Sequence, residues 1–324
     1  MTDSRTTGKR WLDRTPDDHD RTGRSDRLER RRHVIAVCVA AATLFITACG
    51  WTPSPSSAVV VVLAAVAAGM PHGALDIVMG RRATRPAAFY VTYLAVAISA
   101  AVIWVVAPVL GLFAFFAASW FHFARGDAAH HRRLGSASGL SGISTAGCAI
   151  GLPLALHSAI VAPLLRDLLR GAAEPTAGLV SDLGWMIAYP SLVAGFVAVA
   201  AAITNHDVAT TVEIAVIALL AGSVHPLLSF ALYFSLWHSP RHLISLDIDR
   251  STWVRTFGAA AAMVAAGAVA WHWTQPSAGT ETRLIFIGLA AVTWPHLAVT
   301  EMVRRPTSAH LAGRATSLAV PDIA

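Results

Sequence analysis

The sequence carries little charge for its length. Only 14% of its 324 residues are Asp, Glu, Lys or Arg, whereas soluble domains usually contain about 25%. Hydrophobic residues make up 55% and lie in long blocks, each about the length that is needed to cross a bilayer. These features exclude an ordinary soluble protein and indicate an integral membrane protein with one helix bundle.

Lysine and cysteine are almost absent. The one lysine is Lys9, in the N-terminal tail, which excludes a retinal-binding protein that holds its ligand as a Schiff base on an intramembrane lysine. The three cysteines, Cys38, Cys49 and Cys148, form neither a CxxC pair nor a zinc-binding pattern. Because all three lie in or beside apolar segments, we expect buried thiols rather than disulfides.

The positive charge does not form one basic face. Residues 1–33 contain ten Lys/Arg and seven Asp/Glu, and so carry +3 of the net charge of +6. Most of the remaining arginines stand in short loops between apolar segments, as membrane topology predicts. The charge therefore indicates membrane orientation, and we expect no nucleic-acid partner.

Three regions differ in composition. Residues 1–33 have too few apolar residues for a core, which predicts a disordered, basic, cytoplasmic tail. Residues 34–305 form a single transmembrane helical domain, and residues 306–324 form a cytoplasmic C-terminal tail. Since no β-strand pattern is present, the predicted fold class is all-α: a polytopic membrane helix bundle with about 8–10 transmembrane helices.

Arginine clusters orient the predicted spans. Clusters follow the second and fourth spans, so both lie on the same side as the basic tail. The predicted spans are 34–50, 57–79, 88–106, 108–125, 138–165, 184–204, 208–240, 253–273 and 283–303.

The block 208–240 is too long for one simple span and contains His225-Pro226 near its middle. Proline removes a backbone donor and favours a break or kink. One long helix gives nine spans, whereas two short helices broken at His225-Pro226 give ten. The distribution of arginines favours the even number, with the N-terminus in the cytoplasm and the protein in the plasma membrane.

Histidine is abundant, with fourteen residues. Eight of them lie in a tail, in predicted loops or near segment ends, where solvated or interfacial side chains are the simpler interpretation. These eight are His19, His33, His130, His131, His157, His206, His272 and His310.

Two histidines end an apolar and aromatic run. His238 and His242 stand four residues apart, so their rings can face one metal ion. Ser239 and Pro240 between them have the residue types of a helix N-cap and first helical residue, which predicts a new helix and a kink at this point.

Two further histidines have an aspartate nearby in sequence. His72 lies four residues before Asp76, which can hold the other ring nitrogen, and His122 lies close to Asp127. In the ten-span topology, both histidines and the pair described above lie near the inner face. In the nine-span topology the pair lies across a core about 30 Å thick. A shared metal site therefore requires the even count.

An all-imidazole site suits iron, copper or zinc. The alternative is that these histidines only form hydrogen bonds between helices, but ionisable groups at membrane depth favour a functional role. Aromatic residues near them fit a long apolar substrate, although aromatic packing at a membrane interface is also common. The predicted substrate-lining residues are Trp120, Phe123, Tyr233, Phe234 and Trp237.

Four motifs contain five of the remaining histidines. They are Pro-His-Gly-Ala-Leu-Asp at 71–76, Trp-Phe-His-Phe at 120–123, Tyr-Phe-Ser-Leu-Trp-His-Ser-Pro-Arg-His at 233–242 and Trp-Pro-His at 294–296. Together these motifs resemble the Brp/Blh family of β-carotene 15,15′-dioxygenases. The resemblance covers about residues 55–303 in motif order. It implies a bacterial or archaeal membrane enzyme that splits β-carotene with O₂ at its central double bond, giving two molecules of all-trans-retinal.

The resemblance also implies the cofactor and the partners. The cofactor would be Fe(II), in a catalytic domain over residues 34–305, and the partners β-carotene, O₂, the lipid bilayer and a retinal-accepting protein. His296 would be a fifth ligand or a substrate contact. The implied iron ligands are His72, His122, His238 and His242, and Asp76 and Asp127 are possible additions to the site.

Two other functions stay open from the residues alone. A histidine–metal desaturase or hydroxylase usually has several HxxxH and HxxHH boxes, whereas this chain has one HxxxH. A non-enzymatic transporter or carotenoid-binding protein is the second, although transporters typically show inverted repeats.

The chain departs from the family at Ala124, where glycine often follows His-Phe, and Gly126 stands two residues later.

Overall fold

The structure is a computed structural model. It describes residues 16–52, 73–76, 79–80, 86–133, 138–245, 250–274 and 280–304. Helices and their connections account for these ranges and no strand occurs in them, so the predicted all-α fold class is confirmed.

Eleven α-helices and one π-helical turn are described in chain order. The helices are α1 Pro16–Ala48, α2 Pro86–Val106, α3 Pro108–Arg133, α4 Ser138–Leu156, α5 Ser158–Leu169, α6 Ala177–Thr204, α7 Val208–Ser223, α8 Pro226–Tyr233, α9 Ser239–Ser245, α10 Arg250–Thr274 and α11 Thr280–Arg304. The π-helical turn, Phe234–His238, joins α8 directly to α9.

Six helices in the described ranges are long and apolar enough to cross a membrane. This supports the predicted polytopic class. The predicted span 57–79 lies mostly outside the described residues, so the total of 8–10 spans stays a prediction. The six stretches are Arg27–Ala48, Ala87–Val106, Pro108–His131, Gly139–Leu156, Ala177–Thr204 and Arg283–Met302.

Helix α1 begins well before the predicted start of the membrane domain. Residues 16–33, predicted as part of a disordered tail, belong to this helix. Further along it, Ala36 and Ala40 are fully buried, and α1 packs against α7. Such contacts offset the entropy cost of ordering the chain. Residues 1–15 lie outside the described part.

Two predicted segments are each divided. The segment 138–165 consists of α4 and α5, which separate at His157, whose ring Nε2 lies 3.2 Å from the carbonyl oxygen of Gly222. The block 208–240 breaks at His225-Pro226, as one of the two predicted alternatives requires. Val224 is extended there, and Pro226 is the first residue of α8, where its missing N–H costs nothing.

The chain divides into two compact units. The first unit contains residues 1–69, 123–158 and 178–248, and the second contains residues 70–122, 159–177 and 249–324. The division falls inside α3, between His122 and Phe123. The predicted single domain over residues 34–305 stays a prediction.

Each unit has its own apolar packing. In the first, Cys148 of α4 is buried with Leu152, Ala188 and Ala221. In the second, the Trp104 and Phe286 rings both contact the Phe115 ring, with centroid distances of 5.7 and 6.1 Å. All three cysteines are free thiols, but Cys38 and Cys49 are exposed, so the expectation of burial holds for Cys148 only.

Candidate functional site

The histidine pair lies on a continuous helical segment in the first unit. Ser239 has helical backbone angles (φ −62°, ψ −48°), so it is not the predicted N-cap, which would be non-helical. The kink takes another form. Pro240 cannot donate to the carbonyl four residues earlier, and its ring crowds that carbonyl. The π-helical turn Phe234–His238 ends just before Ser239, and such turns are frequent at functional sites.

Aromatic rings surround His238, which is 3% exposed. The centroid of the Phe123 ring lies 4.4 Å from that of the imidazole, and the Phe234 ring stacks on it at 5.8 Å. The Tyr233 ring lies at 6.5 Å. A Cβ placed on Gly126 would lie 3.5 Å from His238 Cε1, so this glycine faces the histidine.

Four of the five predicted substrate-lining residues therefore belong to the first unit. Tyr233 and Trp237 are fully buried and Phe123 is 5% exposed. Trp120, which is partly buried, belongs to the second unit. The rings of Phe123, Tyr233 and Phe234 pack around His238, and the substrate-lining role of all five residues stays a prediction.

Asp127 is a fully buried carboxylate in the first unit. Its Oδ2 accepts hydrogen bonds from Thr145 Oγ1 at 2.6 Å and from the Tyr233 hydroxyl at 2.9 Å. Its Oδ1 accepts one from Arg241 Nη1 at 2.8 Å. These contacts connect α3 to α4, to α8 and to Arg241 of α9.

Glu213 extends this group of charges. It is 2% exposed, on α7, and forms an ion pair with Arg241, which is 5% exposed. His131 Nε2 lies 3.3 Å from Glu213 Oε1, and His131 Nδ1 lies 3.3 Å from Thr210 Oγ1. The prediction of a solvated His131 is wrong, because α3 continues to Arg133 and buries that side chain.

These charged residues were missed from the sequence, although a signal was present. Glu213 is the one charged residue in the apolar run Val208–Ser223. Arg241 stands between the two motif histidines.

In the second unit, the structure brings Asp76 to His296. Asp76 Oδ1 lies 2.7 Å from His296 Nδ1, and the Tyr93 hydroxyl donates to Asp76 Oδ2 at 3.3 Å. The rings of His122 and His296 meet edge to face with centroids 4.7 Å apart. All three residues, Asp76, His122 and His296, are buried. The predicted pairing of Asp76 with His72 lies outside the described residues.

The described side chains fit a ferrous ion in kind. Several imidazoles are buried, and one of them, that of His296, has a carboxylate on its Nδ1, the arrangement that orients metal-binding histidines. No group of three or more His, Cys, Asp or Glu side chains within the described ranges is placed to hold a metal ion. His72 is outside those ranges, so the predicted set of four ligands stays a prediction.

Fold and side chains together define an α-helical, multi-pass membrane protein with an interior rich in histidine and aromatic residues. A sequence profile of the family described as beta-carotene 15,15′-dioxygenase matches residues 63–304, more than half of the chain. The protein belongs to this family of carotenoid-cleaving enzymes, which confirms the resemblance.

One curated relative is the probable beta-carotene 15,15′-dioxygenase Blh of Halobacterium salinarum. It is 27% identical over 288 residues, covering 75% of this chain and 83% of the relative. No solved structure matches the chain.

Proposed function

We propose that the protein cleaves β-carotene with O₂ at its central 15,15′ double bond, that it depends on iron, and that its products are two molecules of all-trans-retinal. The observation that carries this proposal is the family match over residues 63–304. That range includes every histidine of the four motifs. In the reaction one carbon–carbon double bond is broken and each carbon receives one oxygen atom of O₂, so no proton is gained or lost.

The proposed iron ligands are His72, His122, His238 and His242. Bound Fe(II) would supply the binding and activation of O₂. Support comes from the burial of His122 and His238 and from the preference of iron for imidazole in sites without thiolate. The buried cysteine among the described residues, Cys148, packs among apolar side chains, so it is not included in the proposed ligand set.

Neighbouring side chains orient the imidazoles. Phe123 and Phe234 confine the His238 ring from two directions, and Asp76 fixes Nδ1 of His296. Because Nδ1 is engaged, a ligating role for His296 would use Nε2. The contacts of Asp127 with three donors favour a bracing role for this carboxylate over metal binding.

The substrate would reach the protein from the bilayer. β-Carotene is an apolar polyene, so entry from lipid avoids transfer through water, and an apolar site keeps water away from reactive species. Placing the central double bond at the metal sets the position of cleavage. We also propose a plasma-membrane location, a cytoplasmic N-terminus and transfer of retinal to an accepting protein. The cytoplasmic N-terminus is supported by the distribution of arginines.

The test is expression of wild-type protein and His238→Ala in a bacterium that makes β-carotene, followed by chromatography of extracted pigments. Wild type is expected to consume β-carotene and accumulate retinal, whereas the variant leaves the pigment intact at equal expression. His206→Asn is the matched control, because it removes an exposed imidazole whose left-handed backbone (φ 54°) tolerates asparagine. Iron-loaded wild type that leaves β-carotene intact would overturn the proposed substrate.

A further inference from the structure

Resting on the proposed function, we propose that Arg32 of α1 is a positioning residue for His238. Its guanidinium supplies to the carbonyl of Leu236 the hydrogen bond that Pro240 cannot give. Arg32 lies outside the family-matched residues 63–304, so this brace is a feature of the present chain's own N-terminal helix.

The contact is direct. Arg32 Nη1 donates to the Leu236 carbonyl oxygen at 2.7 Å. Leu236 lies in the π-helical turn, two residues before His238. In a regular α-helix its carbonyl would accept from the N–H of residue 240, but that residue is proline, which has none. A charged donor from another helix therefore binds a carbonyl for which the α-helical backbone donor is absent.

The guanidinium is itself held in place. Its Nε donates to Glu29 Oε1 at 2.9 Å, one turn earlier on α1, and the Arg32 side chain is only 9% exposed. His130 Nε2 lies 3.3 Å from the same Glu29 oxygen. Helix α1 also packs against the π-helical turn and α9. Arg32 is thus a fixed, buried donor, unlike Arg30 and Arg31, which are exposed on the same helix.

The consequence concerns the ring of His238. A π-helical turn is a local departure from regular helix hydrogen bonding, and a carbonyl that loses its partner in a buried setting favours rearrangement of the turn. By engaging Leu236, Arg32 keeps the turn in the form that packs His238 against Phe123 and Phe234.

The test compares Arg32→Met, Arg32→Lys and the control Arg31→Met in the full-length protein. Hydrogen exchange is read on the amides of residues 234–242 in metal-free protein. Arg32→Met is expected to raise their exchange by about tenfold or more, the loss of one hydrogen bond to a charged donor. Arg31→Met leaves it unchanged. Equal exchange in the two methionine variants would overturn the proposal.

A double variant tests whether Arg32 takes the place of the backbone donor that Pro240 lacks. Pro240→Ala restores a backbone N–H below Leu236, so Arg32→Met is expected to have a smaller effect in that background. Additive effects would overturn the proposal.

Iron binding provides the spectroscopic readout. The Mössbauer quadrupole splitting of bound iron is expected to change in Arg32→Met and to return toward wild type in Arg32→Lys. A splitting that Arg32→Met leaves unchanged would overturn the positioning of His238. Wild type that binds no iron would overturn the proposed function instead, while hydrogen exchange would still decide whether Arg32 braces the turn.

Discussion

Arg241 Nη1 and Asp127 Oδ1 lie 2.8 Å apart in the buried interior of the first unit. The guanidinium also pairs with Glu213, so one cation on α9 joins two carboxylates on α3 and α7. Arg241 stands between His238 and His242 in sequence. The contact network that stabilises this part of the fold therefore runs through the segment that carries the histidine pair.

Arg241→Met is expected to destabilise the protein by about 3–5 kcal/mol, because it leaves two buried carboxylates without their cation. Denaturant titration of the purified protein in detergent measures the change. The matched control is Arg166→Met, which breaks the exposed pair with Glu174 and is expected to change stability by less than about 1 kcal/mol. Similar losses in both variants would contradict this interpretation of the buried network.

With His296 as a fifth iron ligand, Asp76→Asn is expected to weaken iron binding by about 10–100-fold, the usual effect of losing a carboxylate behind a ligating imidazole. The reason is the 2.7 Å contact with His296 Nδ1. Competition with a chelator of known affinity measures it. Tyr93→Phe removes only the longer contact to Asp76 and serves as the control. Unchanged iron binding in Asp76→Asn, with a raised KM in His296→Ala, would place His296 at the substrate instead.

Gly184→Val is expected to destabilise the protein by about 1–3 kcal/mol through overpacking. A Cβ on Gly184 would meet the backbone of Ala155, so α4 and α6 would have to separate. Gly258→Ala on α10 is the control: no atom lies within 4 Å of its added Cβ. The control is expected to gain about 0.5–1 kcal/mol. Thermal unfolding in detergent measures both, and a tolerated Gly184→Val would show that the two helices can move apart.

Removal of metal is expected to abolish β-carotene cleavage, and Fe(II) is expected to restore it. Zinc would not, because it has no redox chemistry. Retinal formation after dialysis against a chelator and re-addition of each metal is the measurement. Full activity in the chelated protein, with iron absent by elemental analysis, would contradict iron dependence.

Local pattern predicted the helices better than it predicted their partners. The break at His225-Pro226 was accessible because proline acts on its own backbone and that of its neighbour. The helical structure of residues 16–33 was not predicted. The packing of α1, in which Ala36 and Ala40 are buried and the helix contacts α7, is visible only in the structure.

The site divides in the same way. The sequence singled out Asp76, His122 and His296, but it assigned Asp76 to the histidine four residues away. The structure pairs it with His296, 220 residues away. Glu213 and His131 show the same limit, since a charge in an apolar run becomes interpretable only when its counter-charge is located in space.

The hydrogen bond from Arg32 to Leu236 affects which residues a shortened form of this enzyme must keep. A protein trimmed to the family-matched residues 63–304 would keep all five motif histidines and still lose Arg32 and Glu29. Boundaries drawn from sequence similarity mark what relatives share, whereas a boundary drawn from contacts includes α1. A shortened form that keeps the hydrogen bond to Leu236 would therefore begin before Glu29.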